Sequence, residues 1–338
     1  MRECGVSRFQ WLVLGLVVVV GSLFRIYELS YRPLHADEGV NHFFLEDVRS
    51  HGTYSYSAKN YHGPLFFYLS ALPYAVGGDS VSTLRISSVF FGSFLILLFP
   101  VVCREFSFGS RLFAASLLAL SPSLVFYSRY AIHEMLFSLL SLAVGLFAFQ
   151  FVSKPSSRYL YLLFGSLALQ ICTKETFIIS SAAIGVALLL SGISQCRTAL
   201  QWMRVNLSEC LQTGGWSLLL IVFVYSDGWR RVSGLRELCS SLFSWTARSV
   251  SDVGHHKAAR YYLRDVLASS EPFLLVYAAA AIVFGIVLYF RREMRTQLPQ
   301  PVLRAIAFFG IWSIVMLGIY SAIPYKTPWL ISSIVPPI

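Results

Sequence analysis

Long apolar runs separated by short polar corners dominate the chain. The first run, Trp11 to Phe24, becomes long enough for a membrane anchor once Phe9 and Ile26 are included, because about 20 apolar residues cross a hydrocarbon core. Further spans are predicted at 84–102, 112–127, 132–152, 160–172, 177–194, 272–290 and 305–322, with a shorter one at 216–225. A last apolar run, 329–338, reads as the start of another span that stops with the chain. Linkers of a few residues make such helices antiparallel neighbours in one bundle. The expected fold class is therefore all-α, a polytopic transmembrane helical bundle occupying 1–338 as a single membrane domain.

Two longer polar stretches interrupt this pattern, at 28–82 and 227–271. Within the first, Val40, Phe43, Phe44 and Val48 recur at helical spacing while Glu46, Asp47 and Arg49 take the other side, which predicts an amphipathic interfacial helix ending at Gly52. A second interfacial helix is predicted from His62-Gly63-Pro64 to Gly77-Gly78; Pro64 suits a first helical turn. Between them lies the polar-aromatic segment Tyr54 to His62, whose Lys59 and His62 are candidates for substrate contact.

Composition confirms the frame: the 338 residues are 56% hydrophobic and only 13% charged, about half the charged share of a soluble domain. The net charge of +10 does not describe a nucleic-acid surface, since most Lys and Arg lie at helix ends, where they set topology and meet membrane lipids. Arg2, Arg8, Arg104, Arg111, Lys154, Arg158, Arg197, Arg204, Arg291, Arg292, Arg295 and Arg304 fall on one side of the alternation. That side is expected to be cytoplasmic, with a retained signal-anchor at the start, in a multi-pass protein of the cell membrane. The 227–271 stretch, with seven Lys/Arg and five Asp/Glu, departs from this asymmetry, as long loops do. Six scattered cysteines show no metal spacing and no disulfide framework.

The outer side carries the candidate chemistry. Asp37 and Glu38 follow directly after the first span, and carboxylates at a hydrocarbon boundary are costly unless paired, hydrated or metal-bound; a solvated loop is the bland alternative. Three outer corners add cations: Arg129 with Glu134, Lys174 with Glu175, and Tyr325-Lys326 between Pro324 and Pro328. Taken singly, the first two read as local ion pairs. Lys326 lies in a turn fixed by two prolines, and irregular backbone at membrane depth is tolerated where it lines a cavity. Carboxylates facing Lys, Arg and Tyr suit displacement of a phosphate ester by a hydroxyl, the acid taking the proton and the cations holding the phosphate. His255-His256 has no partner at metal spacing and reads as solvated loop.

These strings together (His35 to Gly39, Tyr61 to Pro64, Gly78 to Arg85, Tyr127 to Glu134 and Ile323 to Trp329) resemble the membrane glycosyltransferases of the GT-C superfamily. Within it they are similar to the protein O-mannosyltransferase and aminoarabinose transferase group, and closer still to a prokaryotic branch labelled flippase-activity-associated. The resemblance implies a GT-C bundle with an outward-facing site that takes a sugar from a polyprenyl-phosphate donor to a lipid or protein hydroxyl acceptor. It implies Asp37, with Glu38 beside it, as catalytic base or else as a ligand, with Glu134, of a divalent metal, and Glu134 as a second acid. Lys326, Tyr325, Arg129, Lys174, Lys59 and His62 would then hold the substrate. The alternative is a non-catalytic partner in lipid-linked oligosaccharide translocation that binds lipid phosphate with the same cations. One measurement tests the orientation. Cysteines at Ser57 and Ser251, in a Cys-depleted background, should react with an impermeant thiol reagent in intact cells, while one at Gln297 should not; the reverse pattern inverts the topology.

Overall fold

The computed structural model describes residues 7–338 except 61, 252, 292–295 and 297; Arg2, Cys4, Arg292 and Arg295 therefore lie outside the described residues. Helices dominate, and among the described residues the sole β pairing is an isolated bridge between His256 and Tyr325. Six helices are long and apolar enough to cross a membrane, namely α1 (Arg8–Ile26), α4 (Val81–Val102), α7 (Glu134–Ser153), α9 (Phe177–Val205), α10 (Leu207–Tyr225) and α14 (Gln300–Ala322). The number rises to eight if each of two bent pairs is one span.

At the centre stands α7, whose apolar window is 83% buried. It packs against α4, against α8 (Ser157–Ile171) and against α9. Gly145 permits the closest approach: a Cβ there would lie 2.3 Å from the Trp312 ring of α14. The predicted spans 84–102, 132–152, 272–290 and 305–322 correspond to α4, α7, α13 (Pro272–Phe290) and α14. The predicted 177–194 is longer, because α9 continues past a non-helical Gly192. The predicted short span 216–225 is the second half of the 19-residue α10.

The expected single span 112–127 is instead two helices, α5 (Phe108–Leu120) and α6 (Pro122–Ser128), bent by 56°. Pro122 has no N–H to continue the ladder, and Ser121 caps α6 by accepting from Leu124 N. A second break, of 115°, separates α12 (Tyr261–Ser270) from α13. Its buried Glu271 accepts hydrogen bonds from Ser121 Oγ at 2.5 Å and Ser123 N at 2.8 Å, so the acid at one break satisfies the exposed helix start at the other. The predicted start of a span at 329–338 is the four-residue α15 (Ile331–Ile334), buried against α6 and α7.

The 28–82 stretch forms a layer over one end of the bundle, from α2 (Ala36–His51) and α3 (Leu65–Gly77). The helix predicted there exists, but its buried face is rotated from the expected one. Glu38, Asn41, Leu45 and Val48 point inward while Val40 and Phe43 are exposed. Leu45 and Val48 pack with Tyr54, Phe66, Phe67 and Tyr74.

Of two buried arginines at this end, Arg85 ties the layer to the bundle and Arg25 ties α1 to the α5–α6 bend. Arg25, read from sequence as snorkelling or pairing with Glu28, donates instead to the carbonyls of Gly21, Leu118 and Ala119 and to Ser128 Oγ. Those carbonyls and the hydroxyl lie in α1 and around the α5–α6 bend, whose broken ladder frees acceptors. Arg85 of α4 holds both oxygens of Glu38 at 2.7 and 2.8 Å, and its other N–H groups reach the carbonyls of Leu29, Arg32 and Pro33. Glu38 also accepts from His35 N and Ala131 N. Burial alone would raise this carboxyl, but hydrogen bonds from Arg85, Ala131 and His35 outweigh it and hold it below the usual carboxylate range.

Removing Arg85 leaves Glu38 buried and charged with only the longer Arg32 contact, at 3.3 Å, beside its backbone donors. Arg85→Met should therefore cost on the order of 3–5 kcal/mol, measured as unfolding of the detergent-solubilised protein. Arg49→Ala, which removes an exposed pair with Glu46, should cost far less. Equal stabilities would show that the Glu38–Arg85 pair does not hold the layer in place.

Candidate active site

Four corners converge beneath α2 on a cavity of about 320 Å³. Backbone stitching fixes them. Gly63 N donates to Thr173 O and Leu65 N to Cys172 O, both at 3.0 Å. A Cβ at Gly63 would lie 2.2 Å from Cys172 O, so only glycine allows this approach. Asn41 Nδ2 donates to Ala131 O at 2.8 Å, which pins α2 to the corner before α7. On the far wall, Lys326 N donates to His255 O and Lys257 N to Pro324 O, and Tyr262 OH donates to Thr327 O at 3.0 Å. His255-His256 is thus part of the wall that carries Tyr325, a correction to the solvated loop expected from sequence.

The cavity gathers Asp37 from α2, Lys59 and His62 from the first loop, Glu134 at the start of α7, Lys174 from the α8–α9 corner, and Tyr325. Asp37 occupies the first turn of α2 with its side chain 45% exposed, and its Oδ2 stands 3.8 Å from His35 Nδ1. Glu134 and Lys174 form a buried ion pair at 2.5 Å. Neither local pair suggested by sequence exists as such. Arg129 donates to Glu28 O, while Glu175 meets His62 Nδ1 at 3.3 Å.

Three expected site residues are not on the lining. Glu38 is absent from it, both oxygens being occupied by Arg85 and backbone donors. Arg129 faces the start of the first loop. Lys326 lies in the corner, yet its buried ammonium turns back to Ile323 O; its backbone, not its charge, shapes the wall.

Sequence reasoning overlooked His133, Asn41, Thr176 and Tyr320, all on the lining. His133 is buried against Phe66 and Phe67 with its ring 4.8 Å from that of His62. Burial first, then His62 and Lys174, push it well below the usual histidine range, so its imidazole is neutral. It stood in plain view in the Ile132-His133-Glu134 string, but a lone histidine gives no sign of which side of a corner it will face.

The donors do not fit the metal pair expected at Asp37 and Glu134. Among the described residues no group of three His, Cys, Asp or Glu side chains is placed to share an ion, and Glu134 is committed to Lys174.

A family model described as dolichyl-phosphate-mannose-protein mannosyltransferase matches residues 61–209. Comparison with curated protein sequences finds no match. Among solved structures, ArnT from Cupriavidus metallidurans, bound to undecaprenyl phosphate, superposes with a TM-score of 0.67 at 17% identity, over 98% of this chain and 59% of that one. The archaeal oligosaccharyltransferase AglB from Archaeoglobus fulgidus, in complex with an inhibitory peptide and a dolichol-phosphate, gives 0.61 at 12% identity over 98% and 49%. The arabinosyltransferase EmbB from Mycobacterium smegmatis gives 0.58 at 15% identity over 100% and 31%. The chain spans about three fifths of the ArnT chain and half of AglB. With its all-α bundle and this set of structural neighbours, the chain has the GT-C-type fold that these membrane proteins share.

Proposed function

We propose that this chain is a membrane glycosyltransferase that moves a sugar from a polyprenyl-phosphate donor to a hydroxyl of a lipid or protein acceptor, at the outer face of the cell membrane. The observation that carries the reading is the shared cavity: a half-exposed carboxylate, Asp37, and two lysines, Lys59 and Lys174, line the same space. The match of residues 61–209 to the mannosyltransferase family model and the lipid phosphates of the ArnT and AglB structures support a polyprenyl-linked donor. The smaller number of Lys and Arg in this end's short corners, one each at Arg129, Lys174 and Lys326, supports the outward orientation.

In this reading Asp37 accepts the proton of the acceptor hydroxyl as its oxygen attacks the anomeric carbon. The bond between that carbon and the phosphate oxygen breaks, and the leaving phosphate takes the electron pair under the lysine charges. Glu38 and Arg85 hold the first turn of α2, and thereby the Asp37 carboxylate, against the cavity. Neutral His133 and the aromatic Tyr325 and Trp329 supply walls on which a sugar ring can lie.

Asp37→Asn keeps shape and removes basicity. Transfer from a labelled polyprenyl-phosphate sugar should fall by about a hundredfold or more, with lipid binding retained, on matched amounts of folded protein. Transfer at the wild-type rate would remove Asp37 from the mechanism. Lipid binding by a wild type that transfers nothing would favour the translocation partner.

A further inference from the structure

The charges on the cavity lining are not those of a simple phosphate site. Three carboxylates, Asp37, Glu134 and Glu175, stand with only two lysines. Lys59 lies on the exposed rim, and Lys326 has withdrawn to Ile323 O. The one buried lysine on the lining, Lys174, is taken by Glu134. A phosphate entering here meets no uncommitted buried cation, and an anion leaving water for a partly enclosed space needs one.

We propose that the Lys174–Glu134 pair is an exchangeable clasp: on arrival of a lipid phosphate the Lys174 ammonium passes from Glu134 to a phosphate oxygen. The inference rests on the phosphate-binding part of the function proposed above. Lysine suits the exchange, being a point charge on a flexible four-carbon stem. Among the described residues its Nζ has one hydrogen-bond partner, Glu134 Oε1, for three N–H donors. Glu134 occupies the first turn of α7, where the helix N-terminus stabilises a carboxylate left behind. Before the ligand arrives, the pair spares both groups the cost of burial unpaired. When it arrives, carboxylate and phosphate compete for one ammonium.

Competition makes a prediction of unusual sign. Glu134→Gln, although it alters a cavity residue, should tighten binding of undecaprenyl phosphate by about tenfold or more, because the ammonium no longer has to leave a charged partner. Lys174→Met should weaken it by about tenfold or more. The double variant should bind like Lys174→Met, since removing the acid helps only while the lysine is present. Binding is measured by titrating the full chain in lipid nanodiscs, with thermal unfolding as a check on folding. Should Glu134→Gln fail to fold, Glu134→Asp retains the charge and withdraws it by one methylene, and should tighten binding to a smaller degree. Wild-type binding with unchanged or weaker binding by both acid variants would make the pair a static strut and overturn the clasp alone. A folded wild type that binds no undecaprenyl phosphate would overturn the reading on which the clasp rests.

Discussion

The buried ion pair between Glu38 and Arg85 is the constraint on which the rest of this end of the molecule depends. One guanidinium gathers a carboxylate and three carbonyls, and the carboxylate gathers two backbone N–H groups from separate corners. Such a pair contributes little net stability once desolvation is counted, but breaking it strands a charge. Its effect here is on geometry. The direction of the α1–α2 link, the start of α2 and the corner before α7 are all referred to one side chain of α4. Asp37, one residue away, inherits its position from that arrangement.

The same principle operates at the helix breaks. Glu271 closes the start of α6 from a different part of the chain, and Arg25 takes up the carbonyls released by the bend. Irregular backbone at membrane depth is tolerable where protein satisfies it. The α5–α6 break therefore comes with two buried charged side chains that replace its missing helical partners.

Within the cavity, charge balance decides the chemistry more than the presence of any one residue does. Lysines and acids that look interchangeable in a sequence divide into those already committed to a partner and those open to a ligand. Asp37 is open; Glu38 is committed to structure; Glu134 and Lys174 are committed to one another. A buried pair inside a ligand cavity stores both charges in a form the interior tolerates.

The sequence by itself determined the fold class, because long apolar runs with satisfied backbone have one stable form in a bilayer, the helix. It also determined that Asp37, Lys174 and Tyr325 belong to corners on one side, since antiparallel helices return alternate corners to the same end. The helix interruption at Ser121-Pro122 was written in the proline, yet hydropathy averaged over a span conceals it, whereas Pro272 opened a predicted span. The tertiary structure alone decided which face of α2 is buried, for Val40 and Leu45 are equally apolar and only packing against α3 and α4 separates them. It alone decided the partners too. Sequence proximity suggested Arg129 with Glu134 and Lys174 with Glu175, whereas the fold joins Lys174 to Glu134 across 40 residues and His62 to Glu175 across 113. Electrostatic energy depends on distance in space, and in a bundle of antiparallel helices the nearest charge is the one on the adjoining corner.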